Sequence, residues 1–276
     1  EAPDGGGAPP DTRAAVASGG GRSGEAPAAL LQAGDSVDRS RRHFGVGYYH
    51  TSGASALVVP AGALTVEVTR GLEYAVSTRT MKLPANGAKS LHVPMHRLVN
   101  LPASGWYSGD LHVHMNYGGT YRTVPAQLAF MARAEDLHVI EELIVNKEQR
   151  VPDISYFDDG RPDPVSTPST LIVHGQEFHT SYWGHGGLLG LTKNIILPGY
   201  AAYANTPAAS LYPANANVFD LGHAQGALTG YVHPFDEPPN PDDTISRVTS
   251  ALPVAGALGK VAYLELLGFR GPLATA

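Results

Sequence analysis

Two histidines one residue apart, His112 and His114, close the run Gly109-Asp110-Leu111-His112-Val113-His114. On a β-strand alternate side chains share a face, so Asp110, His112 and His114 project together. Two imidazoles on one face are half a metal site. Other apolar runs carry residues of the same kind at their ends. Leu171-Ile172-Val173 leads to Glu177 and His179, Gly184-His185 opens the run Leu188-Leu189, Tyr231-Val232 leads to His233-Pro234, and Val261 to Leu264 leads to Glu265. A further run, Val139 to Val145, ends on Asn146. The chain has no cysteine, so any metal must be held by nitrogen and oxygen. That donor set suits zinc, manganese or iron rather than copper(I) or an iron–sulfur cluster.

The chemistry such a set offers is hydrolysis. A divalent ion held by neutral imidazoles and a carboxylate lowers the pKa of bound water to about 7, which supplies hydroxide at neutral pH. Glu177 is the natural bridge between two ions, because a carboxylate offers two oxygens. Hydroxide held there would attack a phosphoryl or carbonyl centre. Asp110 is expected to orient a ligand histidine by accepting its other ring N–H. His179 shares the face of Glu177 and reads as a ligand, a proton donor to the leaving group, or a hydrogen-bonded support. His174 is offset from Glu177 by an odd number of residues, onto the other strand face, and His138 opens its strand at the far end from the site. These two, with His92, His96 and His223, read as packing or surface residues.

The elements that must position these groups fall into three stretches. Residues 1–36 are rich in Ala, Gly and Pro and read as a disordered leader. Residues 37–104 read as a small β-sandwich: Leu64, Val66 and Val68 alternate with polar residues, as do Leu91, Val93 and Met95, with turn signals at Pro60-Ala61-Gly62, Arg70-Gly71 and Asn86-Gly87. Residues 105–276 change period. Thr123 and Pro125 start a helix with Leu128, Met131 and Ala132 on one side, a strand from His138 to Val145 follows, and a second helix is expected over Val218 to Leu228. Strand, helix and strand in that order make a parallel crossover, the unit of α/β sheets and barrels. Segments 150–170 and 197–217 are long loops suited to a site mouth, where Trp183, Tyr200, Tyr203 and Tyr212 either wall a substrate or pack the loops on themselves.

Charge and hydropathy exclude other classes. Nineteen basic against twenty-five acidic residues give a net charge of −6, with no Lys/Arg cluster to track a phosphate backbone, so nucleic acid is not an expected partner. No apolar stretch approaches the roughly 18 residues of a membrane span. The letters Gly19-x-Gly21-x-x-Gly24 match a dinucleotide-binding pattern, yet no strand precedes them and no amphipathic helix follows. Neither a Gly-x-Ser-x-Gly elbow nor a His-Glu-x-x-His helix is present. The leader ahead of a β module suits an exported, extracytoplasmic protein.

The string Gly-Trp-Tyr-Ser-Gly-Asp-Leu-His-Val-His-Met-Asn-Tyr-Gly-Gly at 105–119, with Gly175-Gln176-Glu177, Trp183-Gly184-His185 and Tyr231-Val232-His233-Pro234, resembles the carbaryl-hydrolase-type (CehA/McbA) metallohydrolases. These belong to the polymerase-and-histidinol-phosphatase (PHP) superfamily. The resemblance covers roughly residues 42–276. It implies an α/β fold, a distorted PHP-type (β/α)7 barrel with two or three divalent ions at the strand C-termini, preceded by a carboxypeptidase-regulatory-like β domain. It implies that His112, His114, Glu177, His185, His233 and Glu265 ligate metal. Two departures stand out: Asn146-Lys147 replaces the usual Asp-His pair after the second strand, and the chain reaches Ala276 before the closing Asp-x-His motif, so the sequence reads as C-terminally incomplete. The expected function is metal-dependent hydrolysis of a small-molecule phosphoester, or of a carboxylic or carbamic ester. The alternative is a non-catalytic, metal-containing ligand- or glycan-binding protein on a degenerate barrel.

Overall fold

The computed structural model describes residues 12–18, 42–44, 49–51, 53–117, 121–146, 153–180, 182–196, 205, 210–234 and 251–266. The chain divides into two compact units, Glu1–Gly109 with Ala126–His138, and Asp110–Pro125 with Val139–Ala276.

In the first unit, β1 (Thr12–Ser18), β2 (Arg42–Phe44), β3 (Tyr49–Thr51), β4 (Gly62–Thr69) and β5 (Ser77–Leu83) form one antiparallel sheet in the order β2-β3-β1-β4-β5. Two expectations are corrected here. The stretch expected to be a disordered leader supplies β1, whose Ala14, Val16 and Ser18 lie opposite Val68, Val66 and Leu64 of β4; the rest of residues 1–36 lies outside the described residues. In place of a two-sheet sandwich, the described residues form this single sheet.

The alternation at Leu64, Val66 and Val68 does build a core. Leu64 and Val68 are buried with Tyr49, and Val66, Met81, Val93 and Met95 pack against them. Leu91 to Met95, expected as a strand, pairs with no strand among the described residues, where Tyr74 and Arg97 form an isolated bridge nearby. Val93 and Met95 still face the core, but Pro94 has no N–H to give a ladder. His92 and His96 are exposed.

Helix α1 (Pro125–Ala134) starts on proline, whose missing N–H is no loss in a first turn. Two residues past its end, Asp136 adopts a left-handed φ of 54°. The Asp136 carboxylate accepts from Arg70 at 2.8 Å and from Arg97 at 2.7 Å, and Arg97 also reaches Glu73 at 2.5 Å. Gly71, at φ +59°, lies so close that a Cβ would stand 1.9 Å from the Glu135 carbonyl oxygen. Gly71→Ala is therefore expected to destabilise the protein by about 2–3 kcal/mol, combining left-handed strain with forced separation of the helix end. Urea denaturation of both proteins measures this.

In the second unit, β6 (Gly109–Val113) leads to the short hairpin β7 (Asn116–Tyr117) and β8 (Tyr121–Arg122). There follow β9 (Val139–Val145), β10 (Leu171–Phe178), β11 (Gly186–Leu189), helix α2 (Asn215–His223), β12 (Leu228–Tyr231), helix α3 (Leu252–Ala257) and β13 (Tyr263–Leu264). The large sheet has the order β13-β12-β11-β10-β9-β6. The class is α/β, but directions are mixed: β9 and β10 are parallel, as are β12 and β13, while β11 is antiparallel to both its neighbours. Among the described residues no α-helix separates β9 from β10 or β10 from β11, so regular β/α alternation is not followed.

This sheet is strongly curled. Six strands about 4.8 Å apart would span ~24 Å if flat. Yet His112 on edge strand β6 and Glu265, immediately after edge strand β13, touch at 2.8 Å. The two edges have come round to face each other, and the residues at one end of the strands converge.

The convex face is covered by α2, through Val218 and Phe219, in a core with Ile144, Phe178, Leu188 and Tyr231. α2 ends at His223, not at Leu228 as expected, because the chain turns at Gly226 (φ +82°) and Leu228 begins β12. His223 then hydrogen-bonds the Thr229 hydroxyl at 2.8 Å. His174 is buried on the convex face, between Glu142 and Asp163 at 3.0 Å each, with Tyr156 stacked on its ring. It ties the long β9–β10 connection to the sheet, the packing role its offset from Glu177 suggests.

Candidate metal centre

Glu177, near the end of β10, is 1 % exposed and faces four histidines. Its Oε2 lies 2.9 Å from His114 Nε2 and 3.8 Å from His112 Nε2. Its Oε1 lies 2.7 Å from His185 Nδ1 and 3.4 Å from His233 Nε2. The two nitrogens of each pair are themselves close, 3.1 Å for His112 with His114 and 3.2 Å for His185 with His233. Two triads able to hold a metal ion result, His112-His114-Glu177 and Glu177-His185-His233, sharing one carboxylate.

Strand direction explains how all five arrive. Glu177 and His233 stand at or just past the C-terminal ends of β10 and β12, whereas His185 stands just before the N-terminal end of β11. Because β11 is reversed, with Gly186 opposite Phe178, its beginning lies where the neighbours end. His233 takes a left-handed φ of 33°, rare for a residue with a side chain, and its N–H is held by Glu265 Oε2 at 2.7 Å.

The outer contacts decide what the imidazoles present. His114 Nδ1 lies 2.8 Å from the Leu143 carbonyl, which can only accept, so the ring donates there and turns a lone pair at Nε2 toward Glu177. His112 Nδ1 lies 2.8 Å from Glu265 Oε2 and is fixed in the same way. Three acceptors then converge on one point, a repulsive arrangement that only a cation or a proton relieves. Four ligand atoms around a tetrahedral ion at ~2.1 Å stand about 3.4 Å apart; the spacings within the triads, 2.7–3.8 Å, bracket that value. The donor set therefore fits a metal. Burial pulls the His112 imidazole down, but hydrogen bonds to Glu177 and Glu265 outweigh it and raise it to about 9. Burial likewise opposes ionisation of Glu177, and the four histidines overcome it, holding this carboxyl well below the usual range.

Two site residues, Glu265 and Asp110, sit differently from expectation. Glu265, expected as a ligand, belongs to neither triad; its Oε2 accepts from His112 Nδ1 and the His233 amide, so it orients ligands. Asp110, expected to orient a histidine ring, instead accepts the His112 backbone N–H at 3.1 Å. The Leu143 carbonyl and Glu265 do the orienting. His179 lies outside both triads, its ring centroid 3.5 Å from that of His185. Asn146 acts as a brace: its Oδ1 accepts the His179 N–H at 2.6 Å and its Nδ2 reaches the His179 carbonyl at 3.4 Å. Trp183 donates its indole N–H to the Leu211 carbonyl at 2.6 Å, packing loop against loop, while Tyr212 is exposed. Tyr200 and Tyr203 lie outside the described residues.

Losing an outer partner of a ligand histidine typically weakens metal binding ten- to a hundredfold. Glu265→Gln is expected to fall in that range, roughly thirtyfold, because an amide cannot accept as strongly from His112 and His233 together. Competition with a chromogenic chelator reads it directly.

Among the described residues no helix is long and apolar enough to cross a membrane. Comparison with protein-family models, with curated proteins and with solved structures finds no match for this chain.

Proposed function

We propose that this chain is a metal-dependent hydrolase of ester bonds, related to the carbaryl-hydrolase-type members of the PHP superfamily, its curled sheet being part of a barrel of that kind. The observation that carries this reading is the single buried carboxylate of Glu177 between two histidine pairs. His112, His114 and Glu177 would hold one divalent ion, and Glu177, His185 and His233 a second; zinc, manganese and iron all suit these donors. Such ions supply a hydroxide nucleophile at neutral pH and polarise the ester oxygen under attack. The chain's own residues do the rest. Glu265 and the Leu143 carbonyl keep His112 and His114 in the tautomer that binds metal. Asn146 fixes the backbone of His179, whose ring against His185 stands beside the second triad, where it can pass a proton to a departing oxygen.

A second reading, a metal-containing binding protein without turnover, is favoured by Asn146 alone. One experiment separates the two. Protein stripped with chelator and reloaded with manganese or zinc is assayed for metal content and for turnover of bis(p-nitrophenyl) phosphate and p-nitrophenyl acetate. About two ions per chain and metal-dependent turnover are expected. Bound metal without turnover of either ester would put the binding reading first, and no bound metal would sink both.

A further inference from the structure

Glu177, Gly187, Gly230 and Tyr263 stand opposite one another on four adjacent strands: Glu177 pairs with Gly187, Gly187 with Gly230, and Gly230 with Tyr263. Directly opposed residues share a face of a sheet, so the phenol ring and the Glu177 carboxylate lie on the same concave surface. The glycines between them make room for the ring. A Cβ on Gly230 would fall 2.6 Å from Tyr263 Cδ1 and 2.7 Å from Cε1, and one on Gly187 would fall 1.7 Å from the hydroxyl oxygen. The ring thus reaches across two strands, and its hydroxyl sits where the side chain beside Glu177 would begin. Opposed Cβ positions are ~4.5–5.5 Å apart, which puts the hydroxyl one side chain from the centre. Leu143, Leu189 and Val232 pack against the ring from the same face.

That hydroxyl is buried and has no hydrogen-bond partner. Carboxylates of the same region are engaged elsewhere: both Glu177 oxygens face histidines, Glu265 Oε2 takes His112 and the His233 amide, and Glu141 Oε1 takes the Gly190 N–H. A buried donor left unpaired is costly unless a bound molecule completes it. Burial and the charges of Glu141, Glu265 and Glu177 push the phenol further up, so it remains a neutral donor.

We propose that Tyr263 is a positioning residue of the centre, donating its O–H to an oxygen of a phosphate or ester group bound against Glu177. This rests on the reading of the site as a metal centre. The His112-His114-Glu177 triad presents lone pairs, which suit a cation; an oxyanion arriving at a loaded centre also needs a directional donor, and the phenol is placed to be one.

The test compares the metal-loaded chain with its Tyr263→Phe variant by calorimetric titration with inorganic phosphate, with metal content and metal-free melting temperature measured on the same preparations. Metal content should be equal, melting unchanged or higher because an orphan hydroxyl has gone, and phosphate affinity lower by roughly ten- to a hundredfold, the worth of one hydrogen bond to a charged group. A tyrosine ultraviolet difference signal on adding phosphate should appear in the parent chain and vanish in the variant. Equal phosphate affinity in the two loaded proteins, no phosphate binding by the loaded parent, or a lowered melting temperature in the variant would each overturn the role of Tyr263 and leave the metal centre standing. Failure of the parent chain to load metal would overturn the underlying reading instead.

Discussion

Glu177→Gln is expected to empty the centre of both ions together, weakening each by on the order of a thousandfold or more, well beyond the cost of an outer partner. Each oxygen of this carboxylate serves a different histidine pair: Oε2 lies 2.9 Å from His114, Oε1 2.7 Å from His185. A glutamine keeps the shape and loses the charge. It also turns an NH2 donor toward one of the two pairs, so whichever way the amide lies, one triad gains a hydrogen where it needs a lone pair. Glu177 is 1 % exposed, so no solvent screens the loss. Elemental analysis after dialysis against equal limiting metal reads the result. Retention of one ion at parental affinity would mean that the triads are independent and that Glu177 does not bridge. Replacing His114 by alanine should, in contrast, remove an ion from its own triad first and leave the His185-His233 side loaded.

The contrast between those two variants turns on which parts of the site the sequence could disclose. Residue type and strand-end position brought His112, His114, Glu177, His185 and His233 forward, because alternation within a strand and the punctuation of apolar runs are local signals. The placing of His185 before its run, when the others follow theirs, was a clue to the reversed β11 as well. Glu265 and Asp110 could not be sorted that way. Which of them meets the His112 ring depends on the closing of β13 toward β6, a contact between residues 153 positions apart. Tyr263 reads in the sequence only as part of an apolar run; its reach toward Glu177 follows from the registers of three strand pairs and two intervening glycines, none of which has a local signature. Asn146 departs from the metal-binding pattern, and only its distances to the His179 backbone reveal it as a brace. In the first unit the alternation at Leu64 to Val68 marked a true strand, while Leu91 to Met95 shows a like alternation and no strand partner among the described residues, with Pro94 as the warning. The Ala/Gly/Pro-rich composition of the first residues hid β1, which gains its place from pairing with β3 and β4 rather than from propensity.

Metal affinity is expected to rise about tenfold per pH unit up to about 9, roughly a hundredfold between pH 7 and 9, and then to flatten. The slope arises at His112. Its ordinary value is 6.5, and in the metal-free fold it is raised to about 9 because hydrogen bonds to Glu177 and Glu265 outweigh the effect of burial. A group raised on folding stabilises the metal-free fold fully below its unfolded value of about 6.5, and that contribution fades as pH climbs through about 9. The proton and the metal want the same place, since His112 Nδ1 is committed to Glu265 and only Nε2 faces Glu177. Below about pH 9 an ion must therefore displace one proton from this ring, which costs a factor of ten for each unit of acidity. The opposing slopes make a second readout: as pH rises from 7 to 9, the melting temperature of the metal-free protein should lose the His112 contribution while the extra stability conferred by a fixed metal concentration grows. Chelator competition at several pH values, corrected for protonation of the chelator, gives the first slope, and paired melting curves give the second. In His112→Gln the slope over this interval should disappear. A parent slope that is flat between pH 7 and 9 would mean that the ion does not displace a proton from His112, and the ligand set would have to be redrawn around His114, Glu177, His185 and His233.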